Sequence, residues 1–189
     1  MKWWDALLGR TEPAKPDLDA LFALPSAAVT LQAATELAPT GTGSVCFREA
    51  EGGAFAELER DVTRLLAAGG GPPVEQSTDT YGYTWLLARR TPEQLGELVT
   101  DLHAVNSSLE SAGFGPSLLC SLIAFTDLAD RKLALVYLYK RGTFYPFAPV
   151  SGQHRDNALE LQVRAAIEDE LPIEPDLGRW FPLWGAPGL

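Results

Sequence analysis

Leu118-Leu-Cys-Ser-Leu-Ile-Ala-Phe125 and Leu133-Ala-Leu-Val-Tyr-Leu-Tyr139 are apolar runs of strand length separated by the polar stretch Thr126 to Asp130. Side chains along a strand alternate between its two faces, so runs that are apolar at successive positions expect cover on both sides. The two runs are therefore expected to pair as antiparallel strands at the centre of a sheet. Lys140-Arg-Gly142 turns the chain into Thr143 to Ala148. Pro146 and the following Pro149 suit an edge strand, because proline offers no ladder N–H.

Upstream, Thr91-Pro-Glu-Gln94 combines an N-cap hydroxyl, a proline at the first helical position and a glutamine where a capping box needs it. A helix to Ser111 follows, with Leu95, Leu98, Val99, Leu102, Val105 and Leu109 on its apolar face and Gly113 at the left-handed C-terminal cap. Phe55, Leu58, Val62, Leu65 and Leu66 also recur at helical spacing until Gly69-Gly-Gly-Pro-Pro73 stops them. Val74 to Thr78 and Tyr81 to Ala88 read as strands. Asp156 starts a last helix carrying Leu159, Val163, Ala166 and Ile167, with Pro172 as its stop.

Nearer the N-terminus, Val29 to Leu37 and Ser44 to Arg48 lean towards strands, with Pro39-Thr-Gly-Thr-Gly43 as the turn of a hairpin. Ala-rich Gln32 to Glu36 leaves a helical alternative open. Asp17 to Leu24 reads as a short helix ended by Pro25, after a first amphipathic piece from Met1 to Arg10. These assignments divide the chain into an N-terminal helical extension, 1–24, and a single domain, 25–189, with an aromatic tail. The order of elements predicts an α+β fold, a largely antiparallel sheet with helices packed on one side. From Phe55 onward, α-β-β-α-β-β-α is similar to the small chaperones of type III secretion, an analogy of fold that implies no function.

The 189 residues, 46% of them hydrophobic, suit one core. A formal net charge of −10 repels phosphate backbones, which excludes nucleic acid as an expected partner. Two cysteines, Cys46 and Cys120, and no signal-peptide core lead to the expectation of a reduced, cytoplasmic protein. No apolar run approaches the roughly 20 residues of a bilayer span. Any membrane contact is expected to be peripheral, at the inner face of the cell membrane.

Groups suited to chemistry are few. His103 lies near Asp101, Asn106 and Ser107 in sequence, yet positions two apart on a helix face different ways. A pocket using His103 with Asp101, Lys140, Arg141 or Tyr145 is nevertheless the alternative function, a small-molecule sensor or enzyme. Cys120 in an apolar run reads as packing. No CxxC, HExxH, GxSxG or phosphate-loop spacing occurs, so neither metal nor cofactor is expected. Glu168, Asp169, Glu170, Glu174 and Asp176 read as a solvated face, with a docking patch for a basic partner as the alternative.

Trp3, Trp4, Leu7 and Leu8 at one end, and Trp180, Phe181 and Trp184 at the other, must pack on the body, on a partner or on a membrane. They are the candidate contact residues. Together with Tyr81-Gly-Tyr-Thr-Trp85, Asp101-Leu-His-Ala-Val-Asn106, Val136-Tyr-Leu-Tyr-Lys-Arg-Gly-Thr-Phe-Tyr-Pro-Phe147 and Arg179-Trp-Phe-Pro-Leu-Trp-Gly185, they resemble nearly end to end the actinobacterial family of PspA-associated proteins called PspAB. The resemblance implies a cytoplasmic accessory or adaptor of the envelope, or phage-shock, stress response with a PspA-like protein as partner, and implies no catalytic residue. The leading expectation is a non-enzymatic protein-interaction module. A purely structural dimer is a third reading.

Overall fold

A computed structural model describes residues 16–50 and 52–189. Trp3, Trp4, Leu7 and Leu8 lie outside the described residues, as does the amphipathic piece they belong to.

The strands are β1 (Ala38–Arg48), β2 (Glu75–Thr78), β3 (Tyr83–Arg89), β4 (Leu118–Thr126), β5 (Lys132–Leu138) and β6 (Thr143–Phe147), forming one six-stranded sheet in the order β2-β3-β1-β4-β5-β6. Every ladder in it is antiparallel. The helices are α1 (Leu24–Thr35), α2 (Gly53–Ala68), α3 (Leu95–Ser111) and α4 (Asn157–Ile167). The expected α+β class, with its antiparallel sheet and helices to one side, is what the chain forms. β4 and β5 pair from Cys120↔Leu138 to Thr126↔Lys132, inside the sheet, and β6 is an edge.

Two apolar layers flank the sheet because its strands are apolar on both faces. On one, Val45, Phe47, Leu86, Ile123, Phe125, Leu133 and Leu135 meet the helices. A buried polar link, Asn106 Nδ2 donating to Ser121 Oγ at 2.9 Å, joins α3 to β4 there. On the other face Cys46, Trp85, Cys120, Leu122, Val136, Tyr145 and Phe147 are covered by Trp180, Leu183, Trp184 and Ala186 of the C-terminal segment.

The capping box at Thr91 forms as its sequence predicts, around a 3-10 turn, Pro92–Gln94, that leads into α3. At the other end of α3, Gly113 has φ +85°, its N–H donates to Glu110 O, and Phe114 N–H donates to Leu109 O at 2.8 Å. This left-handed cap satisfies carbonyls that the helix itself leaves without donors.

The N-terminal hairpin does not form. Leu24–Thr35 is helical, because its alanines favour helix and bury Ala27 and Ala28 beside Leu24 and Leu31. Pro25 starts this helix instead of ending the preceding one, since the first turn has no use for its missing N–H. A 3-10 turn, Leu18–Ala23, leads directly into it. Leu18, Leu21 and Leu24, placed by the sequence in the extension, belong to the core. Tyr137 Oη, pushed up to about 12 by burial, holds the segment by donating to Asp17 O at 2.8 Å. Leu18–Thr35 has, by length and composition alone, the mean hydropathy of a membrane-crossing helix, 1.2, yet its Leu18, Leu21, Leu24, Ala27, Ala28 and Leu31 pack in the core.

The expected turn Pro39-Thr-Gly-Thr-Gly43 is instead part of β1, where the register against β4 shifts between Pro39 and Gly43. Gly41 at φ +82° makes the kink, and its carbonyl accepts Arg90 N–H at 2.8 Å. The proline is tolerated because β3 runs alongside β1 only from Thr42 onward.

Candidate partner-binding surface

After α4 the chain crosses the second face of the sheet as a strap, residues 172–189, with a 3-10 turn at Leu177–Arg179. Prolines at 172, 175, 182 and 187 deny it helical or ladder continuity, so side chains fix it in place. At its start, Phe144 N–H donates to Pro172 O and Glu174 N–H to Phe144 O, each at 2.8 Å, which seals the outer edge of β6.

Glu174 is the first anchor. Its carboxylate is fully buried and receives Arg141 Nε at 3.1 Å, Thr143 Oγ1 at 2.9 Å and Asp176 N–H at 3.2 Å. Burial pushes this carboxyl up, but the Arg141 guanidinium, the Thr143 hydroxyl and the Asp176 amide together hold it below the usual carboxylate range. The reading of the acidic cluster as a solvated face therefore fails for Glu174. Glu170 is half-exposed and accepts Ser26 Oγ at 2.9 Å and the Thr30 hydroxyl. Glu168, Asp169 and Asp176 are exposed.

Trp180 is the second anchor. It is 5% exposed, stacks on Tyr145 with ring centroids 6.2 Å apart, and donates Nε1–H to Glu174 O at 3.0 Å. Tyr145 Oη, raised above its ordinary range by burial and so kept as a donor, reaches Phe181 O at 2.8 Å. Arg155 donates from Nη1 to Trp180 O and from Nε to the buried Glu160 at 2.9 Å, and its guanidinium lies over the Phe147 ring. Trp184 packs edge-on against the same ring at 5.0 Å, and Thr42 Oγ1 ties down Gly188 O at 2.8 Å.

These anchors leave an apolar rim facing outward. Leu161, Leu177 and Phe181 are 50%, 53% and 55% exposed. Leu161 and Leu177 line a cavity of about 310 Å³ with Trp180, Asn157 and the paired Arg155 and Glu160. Phe181 follows Trp180 directly in the chain. The cavity has an aromatic floor on a fixed base, and aliphatic side chains at its mouth could take an apolar anchor from another molecule. A larger cavity, about 480 Å³ near Arg131, Lys132, Asp156 and Leu189, mixes both signs of charge at its walls.

The sequence-derived contact residues thus separate. Trp180 is internal, Trp184 is half-buried on Phe147, and Phe181 alone of the three is exposed. Leu161 and Leu177 were missed. The available signal was Leu161 itself, two positions from Leu159 and hence off the buried face of α4.

The residues of the alternative pocket do not converge. Asp101 binds Arg90 through both oxygens at 2.7 and 2.9 Å, Arg141 binds Glu174, and Tyr145 binds the strap. His103 lies between Asp19, 3.1 Å from Nε2, and Ser107, 3.3 Å from Nδ1, with Phe22 at 4.7 Å. Asp19 is exposed and solvated, unlike the buried carboxylate that orients a catalytic imidazole. Among the described residues no three His, Cys, Asp or Glu side chains gather as metal ligands would.

A family model described as PspA associated protein B, PspAB, matches residues 1–188. The chain belongs to the PspAB family. No curated protein and no solved structure matches the chain. The PspAB description records an association with PspA and no reaction.

Proposed function

We propose that this PspAB chain is a non-catalytic adaptor of the envelope stress response that binds a PspA-like protein in the cytoplasm, at the inner face of the membrane. The observation that carries this reading is the rim of exposed Leu161 and Leu177 at a cavity floored by Trp180. Exposed apolar groups gathered about a concavity mark recognition sites, whereas scattered ones do not. The net charge of −10 favours a partner whose contacting face is apolar and flanked by Lys or Arg. Trp3, Trp4, Leu7 and Leu8 supply a second contact, to the partner or to lipid, as their amphipathic spacing suggests.

The experiment is capture of the PspA-like protein of the same cell by the full chain, by a Leu161→Glu/Leu177→Ser double variant, and by a chain lacking residues 1–16. The double variant is expected to lose most of the capture while keeping its urea midpoint. Loss of membrane recruitment in the truncated chain would support the terminal contact. Capture unchanged in the double variant would overturn the role of the rim.

A further inference from the structure

Cys46 and Cys120 stand directly opposite each other on the neighbouring antiparallel strands β1 and β4. Both are free and buried, and they share the strap-covered face with Trp85, Leu122 and Tyr145. Opposed residues in an antiparallel pair have Cα atoms about 4.5–5.5 Å apart, inside the span of roughly 4.4–6.8 Å that a disulfide bridges. The backbone thus already holds the two sulfurs where a bond between them needs little movement.

The closed fold keeps the Cys46 thiol protonated. The adjacent Cys120 thiol, and then burial, push the Cys46 thiol well above its usual range, and a protonated thiol is a poor nucleophile. Access is controlled by the distal part of the strap, residues 181–189, beyond the Trp180 anchor. This distal part has no helix or strand and is held by the Tyr145 bond to Phe181, the Trp184 contact with Phe147 and the Thr42 bond to Gly188. Segments held by a few side-chain contacts open at lower free energy than the sheet beneath them.

We propose that Cys46 and Cys120 form a redox-active cross-strand dithiol, oxidised by a hydroperoxide when residues 181–189 of the strap lift. One thiol loses its proton to water, and the thiolate attacks the peroxide. An S–O bond forms, the O–O bond breaks, and the alcohol, or water from hydrogen peroxide, departs. The second thiol then gives up its proton and its sulfur attacks the sulfenic sulfur, forming S–S and expelling hydroxide, which leaves with that proton as water. Two thiols and one hydroperoxide give one disulfide, one alcohol and one water, the sulfurs losing the two electrons that the peroxide gains. The product staples β1 to β4 beneath the strap. This inference does not depend on the partner surface proposed above.

The test exposes the full chain to hydrogen peroxide under native conditions, blocks remaining thiols with N-ethylmaleimide and follows the Cys46–Cys120 linked peptide by mass spectrometry. The linked peptide is expected as the main product. Its formation should be roughly tenfold faster in Trp184→Ala, from loss of one aromatic contact and its buried area. Tyr145→Phe keeps the ring and removes only the tether to Phe181, so it should fold and react several-fold faster. Sulfinic acid or intermolecular disulfides in place of the linked peptide would overturn the pairing. Rates equal to the parent's in the folded variants would overturn control by the strap.

Discussion

Replacing Glu174 by glutamine removes a charge from a site built to receive one. The side chain keeps its size and one acceptor oxygen, which Asp176 N–H can still use, while Arg141 and Thr143 lose a carboxylate. Hydrogen bonds to a charged group are worth about 1.5–3 kcal/mol each. Arg141 is 37% exposed and regains water when its partner is neutral, which discounts that bond. The net loss is then about 2 kcal/mol at neutral pH, roughly a thirtyfold change in the folded-to-unfolded ratio. The sign with pH follows from the depressed folded value. The unfolded chain takes up the proton first, near pH ~4.3, so the Glu174 contribution is full above that pH and is lost as pH falls through the folded value. Urea unfolding of parent and Glu174→Gln, followed by tryptophan fluorescence, should show a constant gap from neutral pH down to about pH 5. Below that the two curves should converge. A gap independent of pH, or no gap at pH 7, would refute the argument that a buried carboxylate anchors the strap.

Trp180→Ala should cost about 3–5 kcal/mol, because it empties a buried aromatic site and leaves Tyr145 without its stacking partner; denaturant unfolding measures it. Gly41→Ala should destabilise by about 2–4 kcal/mol, since the backbone holds φ +82° and the new Cβ would lie 2.2 Å from Arg90 O; thermal unfolding of the two proteins decides. His103→Ala should leave the fold and the cellular stress response intact, and loss of response from a folded variant would return attention to chemistry at that residue.

The parts of the fold visible in the sequence are those specified by nearby residues. Thr91 and Gln94 set the start of α3, Gly113 sets its end, and uninterrupted apolar runs reveal β4 and β5 as interior strands. What stayed hidden depends on distant partners. Pro39-Thr-Gly-Thr-Gly43 carries the local marks of a turn, and only Arg90 N–H and the offset against β4 make it a bulge. Pro25 is compatible with either end of a helix, and burial of Leu24, Ala27 and Leu31 decides which. The candidate site was half legible for the same reason. Tail aromatics announce that something must be covered, but only the stack on Tyr145 tells Trp180, which is structural, from Phe181, which is not.

The sheet ends differently on its two sides. Along β6 the chain's own residues 172–174 occupy the free hydrogen-bonding positions. Along β2 the last strand is only Glu75-Gln-Ser-Thr78, exposed throughout and polar, with Glu75 and Gln76 engaged by Arg89 and Glu59. A template for fibril growth needs a long, apolar, unpaired border. Neither margin offers one, so neither edge of this sheet invites strand-to-strand growth, however apolar its centre.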